Sequence, residues 1–163
     1  MPHVVLYHPQ IPPNTGNIAR TCAATATRLH LIEPLGFELS DRWLRRAGLD
    51  YWPWVDLQCH SDWQSFESHR RHAGGRLLAT SRKAEQSYLK QRFRSDDWLL
   101  FGSETDGLPA EVVSGSDASL TIPMACSSEG PGGGVRSLNL SVSVAVILFE
   151  ALRQLDRGAT EQP

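Results

Sequence analysis

VVLYHPQIPPNTGNIAR, residues 4 to 20, decides how this chain is read. Val4-Val5-Leu6-Tyr7 is an apolar run of strand length, and from about Gly16 to Arg28 the residues suit a close-packed helix. The loop between them holds prolines, asparagine and threonine, with Arg20 following in the helix, a heavier outlay than a simple turn needs. A strand passing through such a loop into a helix is the first half of a βα unit. In open α/β sheets, ligands bind outside the carboxyl ends of the strands, where this loop would lie.

Working outward, residues 29–32 (LHLI) read as a second strand stopped at Pro34. Residues 41–47 read as a short helix, with Ser40 as N-cap and Gly48 as its stop. A third strand is expected at 54–57 and a polar helix at 62–72, closed by Gly74-Gly75. Further strands are expected at 76–80, 97–101 and 120–123, and a long closing helix at 137–155. The alternation predicts an α/β fold with a mostly parallel sheet flanked by helices. At 163 residues, one domain spanning 1–163 is expected. Three of the strands run into unusual loops, TSRK at 80–83, GSETDG at 102–107, and PM at 123–124 leading to the glycine run. With the opening stretch, four loops converge on one edge.

The composition, 40% hydrophobic and 21% charged, is that of a globular chain. Cys22, Cys59 and Cys126 show no CxxC spacing, so reduced thiols and a cytoplasmic location are expected. The start lacks a basic region followed by an apolar run, and no stretch approaches 18 apolar residues, so no membrane span is expected. His69 and His72 have HxxH spacing without a third ligand nearby, so no metal is expected. The net charge of −2 leaves room only for a local basic surface. Arg42, Arg45 and Arg46 share one helical face, which is either a solvated face or a phosphate-binding one.

The glycine run at 130–134 follows a strand and precedes a helix, but lacks the lysine of a phosphate-binding P-loop. There is no GxSxG elbow to suggest hydrolysis. The closing helix is apolar almost all round. Leu138, Val142, Ala145, Phe149 and Leu152 form one stripe, and Val144, Ile147, Leu148 and Ala151 cover most of the rest. This predicts a homodimer in which the second group packs against a partner.

PPNTGNIAR, FGSETDGLP and IPM followed by RSLNLSVSVAV resemble, in this order, the three motifs of the SPOUT superfamily of RNA methyltransferases. With RLHLIEPLGF and LRRAGLDYW, the chain is similar to the smallest branch, the tRNA (cytidine/uridine-34)-2′-O-methyltransferases, from residue 3 to about 155. The resemblance implies a C-terminal deep trefoil knot, S-adenosylmethionine as cofactor, and ribose methylation at the wobble nucleotide in the tRNA anticodon stem-loop. Methylation of another RNA nucleotide, or RNA binding without catalysis, are the alternatives. The implied cofactor positions are Thr80, Gly102, Ile122, Met124, Ser137 and Leu138, with Gly102 letting the ligand approach. The implied catalytic set is Asn14, Arg20, Glu104, Ser137 and Asn139. Arg20 would act on the ribose hydroxyl, Asn14 would orient the ribose, Glu104 and Asn139 would brace the loops, and Ser137 would sit at the cofactor or the 2′-oxygen. Arg42, Arg45 and Arg46 would contact RNA. Ser103, Asp106, Val142 and the insert at 128–134 depart from the family's usual pattern.

Overall fold

The computed structural model describes residues 1–39, 51–125, 135 and 137–160, with side chains through 156. The helix expected at 41–47, its Arg42, Arg45 and Arg46, and the glycine run with Cys126 lie outside the described residues.

β1 (His3–Tyr7) is the strand from which the sheet grows in both directions. Its alternation sends Val4 and Leu6 into one apolar layer and Val5 into the other, and all three are fully buried. α1 (Pro12–Ala24) follows, then β2 (Arg28–Ile32), a 3₁₀ turn at Trp52–Trp54, β3 (Leu57–His60) and α2 (Trp63–Ala73). The second half runs β4 (Leu77–Thr80), β5 (Gln86–Ser87), β6 (Trp98–Phe101), α3 (Ala110–Ser114), β7 (Ala118–Thr121) and α4 (Leu140–Thr160). The sheet order is β3-β2-β1-β6-β4-β7-β5, and every ladder is parallel. The chain therefore builds outward from β1 to β3, then crosses to the other side. That reversal puts a topological switch point between β1 and β6.

Several boundaries differ from those the residues suggest, each for a physical reason. α1 starts at Pro12 because prolines at the first helical positions forfeit only N–H groups that would have no partner there. The third strand, expected at 54–57, begins only at Leu57, opposite Leu29, because Trp52–Trp54 form a 3₁₀ turn around Pro53. β7 ends before Pro123 and begins at Ala118, paired with Leu78. α4 starts at Leu140, where Asn139 Oδ1 accepts from Ser141 N at 2.8 Å and acts as a cap.

α1 and α4 cover one face of the sheet. Ile18, Ala19 and Cys22 of α1 meet Val144, Ile147, Leu148 and Ala151 of α4 over Val4, Leu6, Leu29, Leu99 and Phe101. This corrects the reading of α4: the group expected against a partner is the chain's own core, at 0% exposure. The outward residues come from the other stripe, with Val142 46% and Phe149 56% exposed.

α2 and α3 cover the opposite face, where a histidine row crosses three strands. His3 Nδ1 lies 3.1 Å from His30 Nε2, and His30 Nδ1 lies 3.0 Å from His60 Nε2. His69 of α2 approaches His60 with ring centroids 5.3 Å apart, and Trp98 stacks on His3 at 4.0 Å. Neutral imidazoles can satisfy one another in such a row, each donating one N–H to the next. Burial, reinforced by its histidine neighbours, pushes the His30 pKa down to about 2. Burial and nearby Arg28 take His3 to about 4, and burial lowers His60. His69 thus belongs with this row and not with His72. Among the described residues, no cluster of three or more His, Cys, Asp or Glu has metal-binding geometry.

Candidate active site

Three strand ends open into one cavity of about 630 Å³. Ile11 and Asn14 reach it from the connection after β1, Thr80 to Lys83 from that after β4, and Phe101 to Leu108 from that after β6. Ser137, Leu138, Asn139, Leu140 and Ser143 close it from the entry to α4. β1, β6 and β4 are adjacent in the sheet, so the cavity sits beside the switch point.

A hydrogen-bond network ties these loops together. The Glu104 carboxylate accepts from Gln10 N at 2.8 Å and from Ile11 N at 3.2 Å. It lies where α1 has no side-chain cap of its own, so a charge from a distant loop stabilises the helix N-terminus. Asn14 Nδ2 donates to Glu104 Oε1 at 3.1 Å, and Asn14 Oδ1 accepts from Asn139 Nδ2 at 2.9 Å. Asn139 Oδ1 in turn accepts from Ser141 N and from Ser141 Oγ. The carboxylate can only accept, which forces the orientation of the Asn14 amide. One N–H and one lone pair of Asn14 remain for a ligand. Both Glu104 oxygens are engaged, Oε2 by Gln10 N and Oε1 by Ile11 N and Asn14 Nδ2.

The loop after β6 closes on itself through paired backbone bonds between Ser103 and Gly107. A Cβ on Gly102 would meet the Gly107 carbonyl carbon at 2.2 Å. The missing side chain makes room for the loop's own backbone, and Gly102 also lines the cavity. Gly36 plays a similar part nearby. A Cβ there would meet Gln10 Cα at 2.7 Å, and Gly36 N donates to Pro9 O. The segment after β2 thereby presses on the residues that lead into α1, whose first turn carries Asn14.

Of the residues singled out in the sequence, Asn14, Thr80, Gly102, Glu104, Ser137, Leu138 and Asn139 line this cavity. Arg20, Ile122 and Met124 are not among its lining residues. Ile122 packs against the core, and Met124 is 36% exposed. Arg20 stands on the exposed side of α1, its guanidinium 5.3 Å from the ring centroid of Tyr51. Tyr51 is fixed in turn, its hydroxyl donating to Gly16 O at 2.7 Å. Arg82 and Lys83, which also line the cavity, and Tyr51, beside Arg20, are not among the residues that the sequence singles out. The special loop after β4 was the one available sign for Arg82 and Lys83, while Tyr51 meets Arg20 only through folding.

A parallel sheet with its cavity at the switch point defines a ligand-binding α/β enzyme domain. The chain belongs to the SpoU rRNA Methylase family, whose profile matches residues 1–149. A Synechocystis sp. protein, provisionally named a tRNA (cytidine(34)-2′-O)-methyltransferase, is 56% identical over 155 residues, covering 95% of this chain and 97% of its own. A Saccharophagus degradans protein that carries the name outright is 47% identical over 155 residues, covering 94% and 95%. A solved structure described as giving insights into 2-OH methylation of C/U34 on tRNA is 51% identical, with a TM-score of 0.85. It covers 96% of this chain and 97% of the other. An AdoMet-bound rRNA methyltransferase from Sinorhizobium meliloti is 27% identical with a TM-score of 0.79, covering 94% and 56%.

Proposed function

We propose that this chain is an S-adenosylmethionine-dependent methyltransferase acting on the 2′-hydroxyl of the wobble ribose, nucleotide 34, of tRNA. The observation that carries the reading is near-full-length similarity to proteins named for that reaction, 94% of this chain against 95% of the Saccharophagus relative. The cavity supports it. Its volume of about 630 Å³ lies within the ordinary range for ligands of cofactor size. Its wall includes apolar Leu138 and Leu140 beside polar Thr80 and Ser137, which suits a ligand with an adenine and a polar tail. When bound, the cofactor supplies an electrophilic methyl group on sulfur.

The chain's own residues would do the rest. Thr80, Gly102, Ser137 and Leu138 would hold the cofactor, with Ile122 and Met124 at the neighbouring strand end. Asn14, braced by Glu104 and Asn139, would aim its remaining N–H at the ribose. Arg20, outside the cavity wall, would meet the target nucleotide beyond the cofactor space and stabilise negative charge on the 2′-oxygen. A guanidinium keeps its protons in proteins, so electrostatic stabilisation fits it better than the role of base. Fixing the two reactants in contact can supply roughly 7–11 kcal/mol of the barrier.

The reading extends to a cytoplasmic homodimer joined through the exposed Val142 and Phe149 side of α4, a C-terminal trefoil knot, and RNA contacts by Arg42, Arg45 and Arg46. Mapping ribose methylation in tRNA from a deletion strain tests the reaction. Loss of the mark at nucleotide 34, restored by the cloned gene, is expected. An unchanged nucleotide 34 together with loss elsewhere would refute the position. Light scattering that shows a stable monomer at micromolar concentration would refute the dimer.

A further inference from the structure

Among the described residues, four charged side chains line the cavity: Arg82, Lys83, Glu104 and Asp106. Glu104 is committed to Gln10 N, Ile11 N and Asn14 Nδ2, so its charge is answered within the α1 terminus. Arg82 and Lys83 are both exposed. Formally the two cations and two carboxylates balance, but Glu104 is turned to the α1 terminus, so at the cavity mouth Arg82 and Lys83 stand against Asp106 alone. Two adjacent exposed cations facing one carboxylate can still draw an anion to one place.

The turn that carries them is tied down by hydrogen bonds. Ser81 N donates to Leu120 O at 2.9 Å, Lys83 N to Ser81 Oγ at 3.2 Å, and Ala84 N to Ser81 O at 3.2 Å. β4 lies between β6 and β7, with Thr80 paired to both Phe101 and Leu120. Arg82 and Lys83 therefore leave the sheet beside the loop that carries Glu104 and Asp106. A guanidinium next to an ammonium suits phosphate oxygens, the first by paired N–H donors and the second as a point charge.

We propose that Arg82 and Lys83 grip backbone phosphates of the RNA strand flanking the target ribose, and so set which nucleotide enters the cavity. The proposal rests on the functional reading above. Its test is fluorescence titration of an anticodon stem-loop RNA at several salt concentrations, with calorimetry of S-adenosylmethionine alongside. The proteins compared are wild type, the double variant Arg82→Ala/Lys83→Ala, and the conservative Arg82→Lys/Lys83→Arg. The alanine pair should weaken RNA binding about tenfold near physiological salt and flatten the salt slope by about 1.4. Cofactor affinity should stay unchanged, and the conservative pair should bind RNA as wild type does. An unaltered slope and affinity in the alanine pair would overturn the proposal. A loss confined to cofactor affinity would also overturn it, assigning the pair to the cofactor's carboxylate. Wild type that binds the RNA but leaves the wobble ribose unmethylated would sink only the functional reading, since the slope still decides this one. Wild type that binds no RNA would sink both.

Discussion

The carboxyl edge of the sheet and the face under α2 each carry a polar network, and the networks obey different rules. On the cavity side, Glu104, Asn14, Asn139 and Ser141 link three loops, and a formal charge sits among backbone donors at a helix terminus. Under α2, His3, His30 and His60 link three strands, in a setting where burial holds the rings neutral. The first keeps hydrogen-bonding capacity for a ligand and stands open to one. The second uses its capacity internally and contributes to stability only while it stays uncharged. A polar cluster is therefore not by itself evidence of a site. What separates the two is whether valences are left over and whether a cavity meets them.

The largest expected effect follows from that neutrality. The folded-state pKa values of the row lie below the unfolded value of about 6.5. Below that pH the unfolded chain binds protons that the folded chain refuses, so stability falls as pH falls. The loss begins near pH 6.5, continues to about 4 for His3, and runs on toward about 2 for His30. Between pH 7 and 5, His30 alone should remove about 2 kcal/mol, with His3 and His60 adding to it. Arg28, Asp56, the N-terminus and His69 face the row and set the details. Urea unfolding at the two pH values measures this, and a stability that is flat across the interval would erase the contrast between the two networks.

Next in size is a change on the exposed side of α1, beyond the cavity wall, that should touch rate and leave stability alone. Arg20→Ala removes an exposed charge whose recorded contact is the Tyr51 ring. Methyl transfer should fall at least ~100-fold, about 2.7 kcal/mol in the barrier, while S-adenosylmethionine still binds and the urea midpoint stays put. Near-normal turnover would leave Arg20 a structural partner of Tyr51 and nothing more.

The sequence was legible where local pattern and chemistry coincide. β1, β2 and β6 are apolar runs, and their places follow from that. Asn14, in the first turn of α1, and Glu104 and Asn139, in loops, lie in stretches that hydrophobic periodicity does not explain, and they meet in one network. β3 was displaced because its Gln58 and His60 look solvent-facing in isolation. His60 is buried only because His30 and His69 come to it from other elements. Periodicity could not say which side of α4 faces inward, since both sides are apolar. The packing of α1 against Val144, Ile147, Leu148 and Ala151 decides it. The close approach expected at Gly102 is there, and the nearest protein neighbour is the backbone of Gly107.

The smallest effect separates two jobs within Tyr51. Its hydroxyl donates to Gly16 O, and its ring lies under Arg20. Tyr51→Phe deletes only the first, leaving the Gly16 carbonyl without that donor while the ring keeps its place against the core. The expected stability loss is about 1 kcal/mol. Methyl transfer should stay within about threefold of wild type, because the face of phenylalanine still attracts a guanidinium. Tyr51→Ala removes both jobs and should lower turnover further, without changing cofactor affinity. If Tyr51→Phe and Tyr51→Ala reduce turnover equally, the hydroxyl and not the ring positions Arg20, acting through the α1 backbone at Gly16. If neither variant slows the reaction, Arg20 finds its place through the bound RNA alone, and the cavity face owes nothing to the turn at Trp52–Trp54.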